Sequence, residues 1–439
     1  MLATVKRVLP DTAEVNPQGH LVIGGCDVVD LAGEGRFGTP LYVFDEETLR
    51  GRCREFVREF RGRHADTTVV YASKAYINPA LARIMMEEGL GLDVVSGGEL
   101  AIAAAVGYPP DNVYFHGNNK TDQELREALE YGIGRIVVDN FHELDMLDRL
   151  AGEAKRVQDV MVRVSPGVDP HTHVYTTTGV LDSKFGFSVQ TGDAEEAIRG
   201  ALGSRNLNLV GLHFHLGSPL FEVEPYRVAT KLVLELAARF REEGLVLREF
   251  SPGGGFAINY TREQNAPSVA EYAEAIVSTT QETCRDLGME APRLVVEPGR
   301  AIVGPAGVAV YRVGAIKDIP GVRKYVSVDG GMGDNIRPAL YEAAYETVAA
   351  NKMTAEPSER VTIAGKYCES GDVLVRDAVL PPLESGDLVA LPASGAYCLP
   401  MASVYNLNPR PPIVLVNDGE ARLIRRRESY RDIISCDLV

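Results

Sequence analysis

Between residues 66 and 300 this chain of 439 residues alternates short apolar, β-branched runs with longer amphipathic stretches, and it does so eight times. The candidate strands are 67–72, 91–95, 112–116, 135–139, 159–165, 208–214, 247–251 and 293–297. Helical periodicity fills intervals between them, as at Asn78–Glu88, Gly98–Val106, Asp122–Tyr131 and Pro225–Glu243. In the last of these Val228, Leu232, Leu236 and Phe240 share a face, and Asn78 and Asp122 stand where helix caps belong. Eight strand–helix units in one domain point to an α/β fold of the (β/α)8 TIM-barrel type, whose chemistry belongs at the C-terminal ends of the strands.

After about Pro305 the pattern changes to short Val/Ile/Tyr-rich runs at 308–316, 324–329, 388–392 and 412–417, bounded by Gly, Pro and Asp. Residues 19–23 and 41–44 read as strands too. We therefore expect an N-terminal segment, 1–45, to join a C-terminal all-β domain, 305–439, with the barrel, 46–304, between them in sequence.

Composition narrows the function. A hydrophobic fraction of 45% and a charged fraction of 24% belong to a soluble globular protein, and a formal net charge of −16 argues against a nucleic-acid surface. No run approaches the roughly 18 apolar residues of a membrane span, and the first residues lack the pattern of a secretion signal. The expected location is the cytoplasm. The six cysteines, 26, 53, 284, 368, 398 and 436, are dispersed without metal or redox spacing. Five are expected to be reduced packing residues; Cys368 is the exception.

If the barrel is right, polar groups should fall just past the strand ends, and they do. Lys74 follows the first strand and Asp93 to Gly98 end the second. His116-Gly117-Asn118 close the third, Asp139-Asn140 the fourth, and Arg163 lies near the end of the fifth. His213 and His215 close the sixth, Gly253-Gly254-Gly255 follow the seventh, and Glu297-Pro298-Gly299-Arg300 follow the eighth. A lysine at the mouth of a core needs a reason to be there, because an ammonium is costly to desolvate. A Schiff base is one such reason. The loops after strands seven and eight are the habitual phosphate site of this fold, and consecutive glycines let backbone N–H groups approach a phosphate, with Arg300 as a nearby cation.

A lysine, a phosphate cradle and a carboxylate at one barrel mouth are the parts needed for pyridoxal 5′-phosphate (PLP), with Glu297 as the partner of the pyridine nitrogen. His215 offers a flat face to the cofactor ring and Ser218 a hydroxyl to the phosphate. Strand alternation puts His213 and His215 on the same side, so spacing alone does not assign them separately.

Taken together, several segments resemble the diaminopimelate decarboxylase family, of the alanine-racemase-like fold group that includes ornithine decarboxylase. They are Phe37-Gly-Thr-Pro-Leu-Tyr-Val-Phe44, Tyr71-Ala-Ser-Lys-Ala75, Asp93-Val-Val-Ser-Gly-Gly-Glu-Leu100, Asp182-Ser-Lys-Phe-Gly186, His213-Phe-His-Leu-Gly-Ser218, Glu297-Pro-Gly-Arg300, Cys368-Glu-Ser-Gly-Asp372 and Gly395-Ala-Tyr397. The resemblance implies that Lys74 carries PLP and that Gly254, Gly255, Glu297, Gly299, Arg300 and Tyr397 bind it. It further implies that Arg300, Arg337, Tyr341, Glu369 and Tyr397 surround an amino-acid substrate. Cys368 would be a proton donor which, with Glu369, completes the site of the partner in a homodimer.

The implied reaction is decarboxylation of meso-2,6-diaminopimelate to L-lysine and CO₂, the last step of lysine biosynthesis. That substrate carries an ammonium and a carboxylate at its far end; Glu369 suits the first, and Arg300 and Arg337 the second. Pro219 and Ala257 depart from the family pattern. The alternatives are decarboxylation of ornithine or arginine, and a catalytically silent PLP-fold binding protein.

Overall fold

A computed structural model describes residues 5–169 and 183–438, which divide into two compact units. One comprises Cys53–Ala257 and Ala266–Gly299; the other comprises Met1–Arg52, Ile258–Asn265 and Arg300–Val439. Asp182, in one of the motifs quoted above, lies outside the described residues.

The first unit is a closed barrel of eight parallel strands. They are β1 (Thr67–Ala72), β2 (Gly91–Val94), β3 (Val113–Phe115), β4 (Arg135–Val138), β5 (Gln158–Ser165), β6 (Leu207–His213), β7 (Glu249–Gly253) and β8 (Arg293–Val296). Each pairs in parallel with the next, and β8 returns to β1 through Leu294 opposite Thr67. All eight expected strands are present, with no end shifted by more than two residues. Val70, Tyr114, Val137, Met161, Val210 and Val295, each from a different strand, fill the interior as one buried cluster. Glu249 and Arg135, the first residues of β7 and β4, form an ion pair at 2.7 Å, and Arg293 approaches the same carboxylate at 3.6 Å. The N-terminal end of the barrel is thus closed by charge pairing, which leaves the other end for chemistry.

Helix starts follow local capping chemistry. Asn78 caps α1 (Pro79–Glu87) by accepting from the Leu81 N–H at 2.9 Å, as expected. Asp122 does not cap the helix predicted to start with it. The cap of α2 (Asp122–Tyr131) is Thr121, in a reciprocal capping box with Glu124, and Asp122 is the first helical residue, where its charge suits the helix dipole. The helix expected at Pro225–Glu243 is α3 (Glu224–Arg239), and the stretch read as Gly98–Val106 begins at Gly97 behind the Ser96 cap.

The second unit is built on a nine-stranded mixed sheet. Leu41–Asp45 pairs antiparallel with Gly307–Ile319 and parallel with Ile413–Asn417, so the N-terminal segment does enter the C-terminal sheet. Strands Glu359–Ala364, Val373–Leu380 and Glu420–Arg425 were not anticipated. The last two are the sheet's edges, where charged side chains break the apolar alternation that marks a strand. Four of the five cysteines expected to pack are buried, but Cys436 is exposed, because the short helix before it, Tyr430–Ile433, buries none of its residues.

Asp334, 1% exposed, sits in this unit's core and accepts hydrogen bonds from the phenols of Tyr42 and Tyr311 and, at 3.1 Å, from the Gly331 N–H. Burial outweighs these bonds and pushes its carboxyl up to about 7. A carboxyl whose folded pKa exceeds its unfolded value of about 4 gives stability that is complete below that value and lost as pH rises through the folded pKa. Asp334 should therefore contribute about 2–4 kcal/mol of stability that is lost between about pH 4 and 8, and Asp334→Asn should lessen the pH dependence of urea unfolding by about that amount.

Candidate active site

At the C-terminal end of the barrel lies a cavity of about 570 Å³, lined by Lys74, His116, Arg163, His213, His215 and Glu297 among others. Lys74 stands in a short 3-10 turn, Ser73–Ala75, directly after β1, and its side chain is exposed to this space. Glu297 follows β8 and is 5% exposed. Its Oε2 lies 3.2 Å from His213 Nε2, its Oε1 accepts from Ser251 Oγ at 2.8 Å, and His116 Nε2 approaches Oε1 at 3.5 Å. Ser251 Oγ in turn accepts from the Gly253 N–H at 3.1 Å, tying the glycine loop to the acid.

These contacts set the protonation of the site. Burial drives His116 and His213 down, toward neutral imidazole. Burial alone would raise Glu297, but the hydrogen bonds from His213 and Ser251 hold it well below the usual carboxylate range. The result is a buried carboxylate kept charged by donors. Asp93, at the end of β2, is wholly buried, and among the described residues neither of its oxygens has a hydrogen-bond partner. Its carboxyl is pushed up to about 8 by burial, against the pull of the Lys74 charge.

The two histidines, left undivided by spacing, have separate positions. β6 ends at His213, so strand alternation does not extend to His215. His213 serves Glu297, whereas His215 Nδ1 accepts from the Gly254 N–H at 3.3 Å and its ring lines the cavity. The glycines also carry a packing duty that their sequence did not reveal. A Cβ on Gly254 would lie 2.1 Å from the Glu297 carbonyl oxygen, and one on Gly255, at φ +112°, would lie 2.4 Å from that of Gly217. A side chain on Gly254 would force the β7 and β8 ends apart, and one on Gly255 would push away the loop that follows β6.

The second unit holds its own cluster. Arg300 and Arg337 are 8% and 6% exposed. Arg300 donates to the Tyr260 hydroxyl and lies 4.7 Å over the Tyr397 ring; Arg337 donates to the Tyr345 hydroxyl and lies 4.6 Å over the Tyr260 ring. Among the described residues no carboxylate pairs with Arg337. Tyr397 holds φ +60°, a backbone state that bulky residues rarely adopt. Tyr341, Cys368, Glu369 and Ser218 are exposed. Asp93, His116 and Ser251 were not assigned roles from sequence. The first two were visible as strand-end polar groups, but Ser251, inside an apolar run, gave no signal. Tyr260 and Tyr345 gave none either, as tyrosines outside the recognised motifs.

The barrel-mouth residues fit PLP. An exposed lysine amine shares one cavity with a charged carboxylate and with a flat imidazole, His215, and His213 Nδ1, in the same group, has no hydrogen-bond partner among the described residues. His116, His213 and Glu297 are also close enough to hold a metal ion. Both Glu297 oxygens, however, are already engaged by His213 and Ser251.

Residues 46–304 match the pyridoxal binding domain of the pyridoxal-dependent decarboxylases, and with the lysine and carboxylate at the barrel mouth this defines the class. Within it, the diaminopimelate decarboxylase of Bacillus subtilis is 46% identical over 431 residues, 98% of each chain. The crystal structure of diaminopimelate decarboxylase from M. jannaschii in complex with L-lysine is 38% identical, with a TM-score of 0.92 over 98% of both chains. A lysine/ornithine decarboxylase from Vibrio vulnificus, complexed with putrescine, is 25% identical, with a TM-score of 0.76 over 92% of this chain and 100% of that one. The chain belongs to the diaminopimelate decarboxylase family.

Proposed function

We infer that this protein removes CO₂ from meso-2,6-diaminopimelate to give L-lysine, the last step of lysine biosynthesis, using PLP. The observation that carries this reading is Glu297, a buried carboxylate held charged by His213 and Ser251 in the cavity that Lys74 lines. PLP, when bound, supplies a sink for the electron pair left as the carbon–carboxylate bond breaks. Lys74 would be the amine that holds the cofactor. Glu297 would keep a proton on the cofactor's ring nitrogen, His215 would offer its flat face to the ring, and Ser218, Gly254, Gly255, Gly299, Arg300 and Tyr397 would hold the phosphate.

Arg337 supports the substrate assignment. A buried guanidinium surrounded by phenols, with no carboxylate partner among the described residues, is stabilised by an acidic ligand, which the far end of diaminopimelate provides and that of ornithine or arginine does not. Arg300, Tyr341, Glu369 and Tyr397 complete the substrate's surroundings. Cys368 delivers a proton to the carbon that has lost CO₂. Exposure of Cys368 and Glu369 supports a homodimer in which each protomer lends this pair to the other's site; its place of work is the cytoplasm. Cys368→Ala should slow kcat by about 10² to 10⁴-fold while leaving the bound-cofactor absorbance intact. Loss of cofactor in that variant would contradict the donor role.

CO₂ release from purified, PLP-supplemented protein given diaminopimelate, ornithine, arginine and lysine separately tests the activity. Release from diaminopimelate alone supports it. Release from ornithine or arginine moves the assignment to that branch, and no release from any favours a silent binding protein.

A further inference from the structure

Cys368 is exposed, yet its main chain is held on both sides. Its N–H donates to Asn406 Oδ1 at 2.9 Å, and its carbonyl accepts from the Tyr405 hydroxyl at 3.3 Å. The rings of Tyr367 and Tyr405 stack at 6.1 Å with 22° between their planes. Asn406 itself has φ 52° and ψ 24°, the left-handed region that asparagine tolerates better than most residues. The corner Tyr405–Leu407 thus presents both a side-chain acceptor and a phenol to one peptide.

The other end of the same loop is pinned from below. Asp372, 4% exposed, accepts from the Met332 N–H at 2.7 Å with Oδ1 and from the Tyr367 N–H at 2.8 Å with Oδ2. Room for this carboxylate exists because Gly331 and Gly365 lack side chains: a Cβ on either would fall 2.4 or 2.1 Å from its oxygens. An exposed loop held by a buried carboxylate and an external clamp is costly in conformational entropy unless its tip must keep a fixed geometry.

We propose that Asn406 and Tyr405 are positioning residues that fix the Cys368 peptide, and with it the thiol, for proton delivery. This rests on Cys368 being the proton donor. Asn406→Gly keeps the left-handed backbone and removes the acceptor, Asn406→Asp keeps both, and Tyr405→Phe removes only the phenol hydroxyl.

The test is kcat and KM of the holoenzyme for these variants, each made with Cys368 present and in a Cys368→Ala background. Asn406→Gly and Tyr405→Phe should each lower kcat about 10-fold with KM and cofactor loading unchanged, and Asn406→Asp should stay within about threefold of wild type. In the Cys368→Ala background the same changes should cost less than about twofold, because the group they position is gone. Equal losses in both backgrounds, or none in either, would overturn the clamp while leaving Cys368 as donor. A Cys368→Ala enzyme with wild-type kcat would instead remove the donor reading, and the clamp with it.

Discussion

Lys74→Ala should lose bound cofactor and reduce turnover by at least about 10⁴-fold, the order set by converting an anchored, oriented reaction into an encounter in solution. The expectation follows from where the residue sits. It follows a strand of the barrel directly, in a turn whose neighbours Ser73 and Ala75 are buried, while its own side chain opens into the cavity. Its removal leaves no packing defect, so the fold should persist with unchanged circular dichroism. Lys74→Arg separates two explanations. A guanidinium keeps the positive charge facing Asp93 and Glu297 but does not condense with an aldehyde, so it should be as inactive as alanine. Substantial activity in the arginine variant would reduce Lys74 to an electrostatic partner.

Glu297→Gln is the second large effect. Glutamine preserves the shape of the side chain and one oxygen for Ser251 or His213, so the site stays assembled while the charge disappears. Removing one preorganised electrostatic group from a water-excluded site costs about 10² to 10³ in kcat, and that is the loss expected here, with KM for diaminopimelate little changed. Glu297→Ala goes further, because it strands the Ser251 hydroxyl and the His213 ring nitrogen. A buried polar group left unpaired costs about 1–3 kcal/mol, so this variant should also unfold at lower urea. A glutamine variant within about threefold of wild-type kcat would mean that the carboxylate does not serve the cofactor's ring nitrogen.

The barrel was legible because strands buried on both faces read as unbroken apolar runs, and because Lys74, His116 and Glu297 fall in phase at their ends. Local chemistry set the limits. Asp122 looked like a cap until Thr121, one residue earlier, took that role through Glu124. Edge strands such as Glu420–Arg425 hid behind their charges. What could not be read was any partnership formed only in three dimensions. Ser251 stands between two apparently structural residues, Phe250 and Pro252, yet its hydroxyl links Gly253 to Glu297. Tyr260 and Tyr345 lie far from Arg300 and Arg337 in pattern, if not in number, and become informative only once the guanidinium groups are seen against their rings. Cys368 was singled out by its motif, but the motif says nothing of Asn406, 38 residues away, which holds its main chain.

The account turns on one covalent prediction, that the cofactor is carried by Lys74. Reduction of the PLP-loaded protein with borohydride, followed by digestion and peptide mass analysis, tests it directly. A single phosphopyridoxyl group on the peptide containing Tyr71-Ala-Ser-Lys-Ala75 is the expected result. Modification of a different lysine, such as Lys120 or Lys184, or loss of all cofactor on denaturation after reduction, would contradict it.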